Sequence, residues 1–245
     1  MFGRRKIAAI VAEFLGAGVL TTIILSVQHS GIGYPLFVAA AVGLAFLVLS
    51  FTVGDASGGQ FNPAITIGQW TAGKLATFTA IVYVIAQLLG GWLAYYLYTY
   101  LVNNHLGAVG GHFSGRILAS EAVGTGVFAF IFTATVYRGA SRAVTATFAG
   151  LGLTIGSLVA SAGALGLLNP AVALGVRAWV WGTYVLGPVI GAIVGTQLYR
   201  LFFAEEEGGF LPNFSMASFS TTEVVISKPA AKPKTAKKTA AKKKK

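Results

Sequence analysis

Six apolar stretches, at about 7–28, 35–54, 76–101, 116–137, 143–163 and 180–203, limit what this chain can fold into more than any other feature of it. Each is close to the roughly 20 residues that a helix needs to cross about 30 Å of hydrocarbon. Only 10% of the residues are charged, against about 25% in soluble domains. Just three acidic side chains, Glu13, Asp55 and Glu121, precede residue 205. The expectation is an all-α membrane protein. Arg4, Arg5 and Lys6 resemble the charged start of a signal peptide, yet the apolar run that follows continues past residue 25 with no convincing cleavage site, so it reads as a retained transmembrane helix. Cysteine is absent, which excludes disulfides and thiolate metal sites. His29, His105 and His112 lie at or between segment ends and read as solvated, so no metal, cofactor or catalytic group is expected of them.

Lys and Arg in short loops mark the cytoplasmic side of a membrane. With six crossings, Arg4 to Lys6, Lys74, Arg138, Arg142, Arg200 and the C-terminal lysines all fall on one side, and only Arg116 and Arg177 fall opposite. Both termini are therefore expected to be cytoplasmic.

Two apolar stretches are left over, around 61–70 and 167–176, each too short to span. They carry the same three residues, Asn62-Pro63-Ala64 and Asn169-Pro170-Ala171, 107 positions apart. "AEFLGAGVL" at 12–20 matches "SEAVGTGVF" at 120–128 with an offset of 108, and "LGGWLAYYLY" at 89–98 resembles "IGAIVGTQLY" at 190–199. The chain thus reads as two halves, 1–102 and 103–204, each built as helix, helix, short segment, helix. Three crossings per half is an odd number, so the second half enters the membrane from the opposite side and the repeat is inverted. The short segments then dip in from opposite faces. Seven or eight helical residues cover only about 11 Å, so neither crosses alone, but two placed end to end cover most of the apolar thickness.

Non-helical backbone is tolerated at that depth only when buried in protein or lining a wet cavity. Pro63 and Pro170 suit a first helical turn, where a missing N–H costs nothing. Asn62 and Asn169 then fall at N-caps, each with amide donors free to face a passing oxygen atom. The positive ends of two half-helices converge at the same point and repel cations and protons. Glu13 and Glu121, ionisable groups inside apolar segments, require a reason; bracing loop N–H groups is one and proton relay is another. Glycines at 16, 18, 90, 91, 124, 126, 191 and 195 recur at spacings that let helices approach closely. Tyr95, Tyr96, Trp179 and Trp181 read as membrane-interface anchors.

Through "AEFLGAG", "SGGQFNPAITIG", "IAQLLGG", "SEAVGTGVF", "GLGLTIG" and "LNPAVALG" the chain resembles the aquaporin, or major intrinsic protein, family from residue 7 to about 203. The resemblance implies a right-handed bundle of six transmembrane helices and two re-entrant half-helices, a passive channel for water or small neutral solutes, and a homotetramer with one pore per subunit. It also implies that Glu13 and Glu121 brace the loops bearing the Asn-Pro-Ala segments. In water and glycerol channels of this family an Arg usually follows the second such segment and lines the outer constriction. Here that place is Val172, and Ala173 stands where the glycerol subgroup commonly has Asp. Arg177 is five helical residues further on, rotated by about 140° and displaced by about 7.5 Å, and does not replace the missing Arg directly. Ungapped counting maps the other constriction positions to Val42, Ser157 and Gly166, with Phe46 in place of Val42 if the second helix is shifted by a turn. A ring of Val, Ser, Gly and Val predicts a wider and less polar outer mouth, with one hydroxyl and no fixed cation. Asp55 stands where family members often have His, and either lines the cytoplasmic mouth or caps a helix end.

From Lys228 onward the chain holds nine Lys and no acid, half of all its Lys and Arg, in a composition of Lys, Ala, Pro and Thr that builds no core. Residues 205–245 are expected to form a cytoplasmic tail, disordered from about 228, which either stays solvated or attaches to anionic lipid; nucleic-acid binding has no aromatic or folded support. Two other functions fit an inverted-repeat membrane protein, a gradient-coupled small-solute transporter and a non-conducting junction protein. The first normally needs ionisable residues at a substrate site, and only Glu13 and Glu121 are at hand. No nucleophile and base constellation, metal cluster or phosphate loop suggests an enzyme.

Overall fold

The structure, a computed structural model, describes residues 3–109 and 111–204. Among these residues every regular element is helical. Six helices cross the bundle: α1 (Arg4–Ser30), α2 (Pro35–Ser57), α4 (Thr77–Val102), α5 (Gly115–Tyr137), α6 (Arg142–Ala160) and α8 (Leu186–Phe203). Two short ones, α3 (Pro63–Thr71) and α7 (Pro170–Gly175), are the half-helices. The sequence spans are recovered with shifts of a few residues at their ends. α1 runs to Ser30 because its stop is Gly31, in a left-handed conformation at φ 70° that favours glycine. α2 begins on Pro35, and α5 and α6 begin after Ser114 and Ser141, whose hydroxyls accept from backbone N–H groups of the first turn. The last crossing opens with a wide π-helical turn, Trp181–Val185, in which the Leu186 N–H donates to the Trp181 carbonyl. Pro188, which has no N–H for the Tyr184 carbonyl, sits just beyond this turn and suits a locally widened helix.

The packing has two-fold character. α1 lies mainly on α4 and α5 on α8, the matching pair of the second half, while α2 and α6 cross each other at the centre. Each half-helix packs on the last helix of the other half, α3 on α8 and α7 on α4. This exchange is what makes the two repeats one body. Large apolar side chains along the outer faces, among them Leu44, Ile81, Leu97, Val123, Phe148 and Phe202, are exposed. All six long helices are apolar enough to cross a membrane, which accounts for these exposed apolar faces.

Small residues set the helix separations. A Cβ on Gly18 would lie 3.3 Å from the Gly90 carbonyl oxygen, and the symmetric Gly126 would meet the Gly191 carbonyl oxygen at the same 3.3 Å. Gly43 and Gly150 oppose each other where α2 crosses α6, and a Cβ on Gly91 would run into the carbonyl oxygen of Ala171, the last residue of the second Asn-Pro-Ala motif. Without lipid-excluding hydrophobic pressure between membrane helices, such backbone approach supplies the van der Waals contact that holds them together.

Gly91→Ala is therefore expected to lower stability by about 1–3 kcal/mol through overpacking of α4 against α7. Gly111→Ala, whose added Cβ meets nothing within 4 Å, is the control. Thermal unfolding in detergent compares the two, and equal midpoints would remove this approach from the forces that seat α7.

Candidate pore

Both half-helices begin in the way their sequences dictate. The Asn62 side-chain oxygen accepts from the Ala64 N–H at 2.8 Å, and that of Asn169 accepts from Ala171 at 2.9 Å and Val172 at 3.4 Å. Pro63 and Pro170 occupy the first turns. Ahead of each cap the backbone takes the same course: Gly59 and Phe61 have φ of 63° and 51°, and Gly166 and Leu168 have 68° and 54°. These pairs are all 107 positions apart. A left-handed Phe or Leu costs roughly 1–3 kcal/mol unless its surroundings impose it.

Glu13 and Glu121 supply those surroundings. The Glu121 carboxyl accepts from the N–H groups of Gly166 at 2.8 Å, Leu167 at 3.1 Å and Leu168 at 2.8 Å. Glu13 accepts from the N–H groups of Gln60 at 3.0 Å and Phe61 at 2.6 Å, and from the Ser57 hydroxyl at 2.5 Å and the Gln87 amide at 2.6 Å. Both glutamates are completely buried. Gln87 also donates to the Thr66 hydroxyl at 2.8 Å, and Thr66 in turn donates to the Gln60 side-chain oxygen at 3.0 Å. Gln87 and Thr66 escaped the sequence reading although both lie in quoted motifs. Their signal, polar residues in apolar helices, was available.

The loops also hold each other. Asn62 Nδ2 donates to the Leu168 carbonyl and Asn169 Nδ2 to the Phe61 carbonyl, both at 2.9 Å. An amide NH₂ has two hydrogens, so one N–H of each Asn is committed across the two-fold axis and one is left for a solute. The expectation of two fully available donor groups is narrowed accordingly.

Three cavities follow one another along α2 and α6. The outermost, about 400 Å³, is lined by Ala39, Ser157, Ser161, Gly166 and Val176 among others. Next comes a waist of about 10 Å³ between Val42, Phe46, Leu153, Val172 and the two Asn side chains. The third, about 40 Å³, lies between Ser50, Gly54, Asp55, Thr135, Arg142 and Thr145. Val42, Phe46, Ser50 and Gly54 form one stripe of α2 at helical spacing, as do Thr145, Leu153 and Ser157 on α6.

Of the four constriction positions, Val42, Gly166 and Val172 border the waist, while Ser157 borders the outer cavity. The Ser157 hydroxyl donates to the Gly166 carbonyl at 2.7 Å, so the hydroxyl expected to face solute is already engaged. Val42 and Phe46 both line the waist, so the two registers offered by the sequence are not alternatives. Phe46 is fully buried, with Phe61 and Phe128 each 5.4 Å from its ring centre. Leu20, Ile24, Leu153 and Leu167 also line the waist and were not singled out from sequence, where apolar pore residues look like any others. Arg177, left-handed at φ 59°, lies beyond the end of α7 and donates to the Tyr95 hydroxyl at 3.2 Å. Tyr95 donates to the Leu106 carbonyl at 3.1 Å, and is thus a loop contact as well as an interface residue.

An inverted repeat of six membrane helices, with two opposed half-helices meeting beside a cavity-lined axis, defines a helical membrane channel. Residues 4–199 match the Major intrinsic protein family, and the chain belongs to it. It is 31% identical over 234 residues to Aquaporin Z of Photorhabdus laumondii, covering 83% of this chain and 99% of that one. It is 30% identical to Aquaporin AqpM of Methanothermobacter thermautotrophicus over 71% of this chain and 80% of the relative. Its fold is similar to that of the aquaglyceroporin from Plasmodium falciparum, with a TM-score of 0.64, 20% identity, and 79% and 95% of the two chains covered. The protein is an integral multi-pass membrane channel and not an enzyme.

Removing the carboxyl bracing tests its role. Glu121→Gln keeps one acceptor oxygen but turns an NH₂ toward at least one loop N–H, and is expected to cost about 1–3 kcal/mol. Glu121→Ala, which strands all three, costs more. If thermal unfolding in detergent gave wild-type midpoints for both, the loops would not depend on this carboxyl.

Proposed function

We propose that this channel passes water together with small uncharged solutes of the size of urea or glycerol, down their gradients. The observation that carries this reading is Val172, an apolar side chain at the waist directly after the second Asn-Pro-Ala motif. A fixed guanidinium there would narrow the passage and take part in excluding cations; valine does neither. The wide outer cavity supports the same reading, because a solute larger than water can shed its shell there before meeting the Asn donors. In this scheme Asn62 and Asn169 orient the solute's oxygen atoms, Pro63, Ala64, Pro170 and Ala171 hold the half-helices in register, and Val42, Phe46, Gly166 and Val172 set the width. Ser157 shapes the outer wall, and Glu13 and Glu121 hold the loops. A gradient-coupled transporter is not favoured, since both buried glutamates are occupied by loop and side-chain donors.

The excess of Lys and Arg in the loops on their side supports a cytoplasmic position for both termini. The subunits assemble as a homotetramer, one pore each, with the halves dividing near residues 102 and 103. The Lys-rich tail, which lies outside the described residues, contacts anionic lipid headgroups, each Lys contributing about 1 kcal/mol near such a surface.

Stopped-flow swelling of proteoliposomes with water, glycerol and urea gradients tests the main reading. Wild type is expected to respond to all three, and Val172→Arg to lower glycerol permeability relative to water by on the order of tenfold. A wild type that passes water but neither solute, or a Val172→Arg variant with an unchanged ratio, would exclude the wide-pore reading. For the tail, removing residues 228–245 is expected to abolish salt-sensitive binding to anionic vesicles; unchanged binding would exclude the lipid role.

A further inference from the structure

The third cavity has charged side chains in its wall where the other two have none. Asp55, in the last turn of α2, pairs with Arg142, the first residue of α6, and both line this cavity with Ser50, Gly54, Thr135 and Thr145. The two side chains are half exposed, 40% for Asp55 and 49% for Arg142, so the pair stands at the open end and not in the packed interior. Arg142 continues the stripe of α6 that lines the waist, and Asp55 follows Gly54, the last residue of the α2 stripe, so the pair lies at the ends of these helices far from the outer cavity. The conduit that begins wide and without charged side chains thus ends small and charged, about 40 Å³ against about 400 Å³.

Each charge lies at the end of its own helix that disfavours it, an anion at a C-terminus and a cation at an N-terminus. Each lies at the end of the other's helix that favours it. Helix dipoles therefore stabilise the two side chains when they meet across the gap and not when they part. An exposed ion pair is nonetheless weak and screened by salt, so it can part for a solute that offers a donor to the carboxylate and an acceptor to the guanidinium.

We propose that Asp55 and Arg142 form a second selectivity element of this channel, a charge-paired crossbar over its narrow end that decides which uncharged solutes enter from that side. The inference deepens the channel reading and rests on it. Water passes without parting the pair, and a polyol or amide must displace it. The chain thereby keeps a fixed cation on its conduit, at the opposite end from the wide outer cavity and neutralised by a partner.

The experiment is stopped-flow swelling of proteoliposomes holding the full chain, comparing glycerol and water permeability in wild type, Asp55→Asn, Arg142→Gln and the charge exchange Asp55→Arg with Arg142→Asp. Breaking the pair in either single variant is expected to raise the glycerol-to-water ratio about threefold, the scale of an exposed pair. The exchange, which rebuilds the pair reversed, is expected to return the ratio toward wild type. Raising the salt concentration should raise the ratio in wild type and leave the single variants unchanged. Single variants that pass water normally with an unchanged ratio would overturn the crossbar while leaving the channel intact. So would an exchange variant that behaves as the singles do, since side-chain volume would then suffice. A wild type with no water permeability would instead defeat the channel reading itself.

Discussion

Everything in this fold depends on satisfying a stretch of non-helical backbone at the middle of a membrane. Each loop ahead of an Asn-Pro-Ala motif exposes several N–H groups that no helix pairs, and an unsatisfied group in hydrocarbon costs several kcal/mol. Glu121 takes three of them with one carboxyl, and Glu13 takes two together with a hydroxyl and an amide. With those groups satisfied, Phe61 and Leu168 can hold their left-handed turns and present carbonyls across the axis to Asn169 and Asn62. The half-helices meet because the loops behind them are tied, and Gly91 of α4 and Gly68 of α3 let each sit close against the last helix of the other half.

The two-fold symmetry is close in the backbone of the two loops and relaxed in the side chains around them. The first loop is backed by Ser57, Gln60, Thr66 and Gln87, a connected polar network around Glu13. At the matching places of the second half stand Ala164, Leu167, Ala173 and Pro188. Glu121 consequently meets backbone donors, and the second loop turns Leu167 toward the waist. The conduit is likewise unlike at its two ends: no charged side chain lines the cavity on the side of the second loop, and Asp55 and Arg142 line the one on the side of the first. The same repeat can thus brace both loops while building two unlike mouths.

Much of this architecture was legible because its causes are local or repetitive. Runs of about twenty apolar residues, a duplicated cap followed by Pro, and an acid in each half's first helix all carry their reasons with them. The offset of 107 in the motifs recurs in the left-handed residues, so the repeat predicts even backbone strain. What the sequence did not disclose depends on where side chains point. Val42 and Phe46 looked like alternatives because they differ by one helical turn, but a cavity lined along a helix takes successive turns of the same face. Ser157 looked like a pore hydroxyl because its carbonyl partner, Gly166, comes from a loop nine residues away. Asp55 lies in the last turn of α2 and pairs with Arg142 on another helix, a partner that sequence separation conceals.

The position of the narrowest point follows from two opposing substitutions. Next to the 400 Å³ cavity, valine at 172 and at 42 and glycine at 166 offer little bulk to the ring that borders the waist. One turn further in, Phe46 and Leu153 restore it, so the constriction lies level with the Asn pair. An apolar constriction of this kind favours drying, which blocks passage without a steric plug. Here it contains two buried amides, each with one N–H left after the crosswise bond, and these are the groups that can hold water in it. On the function proposed above, conduction and selectivity are set at the same level: the aromatic and aliphatic walls limit size, and two donors at fixed separation reward a solute whose oxygens reach both. On that reading the filter lies inward of the outer mouth, at the level where the positive ends of the two half-helices converge and oppose cations.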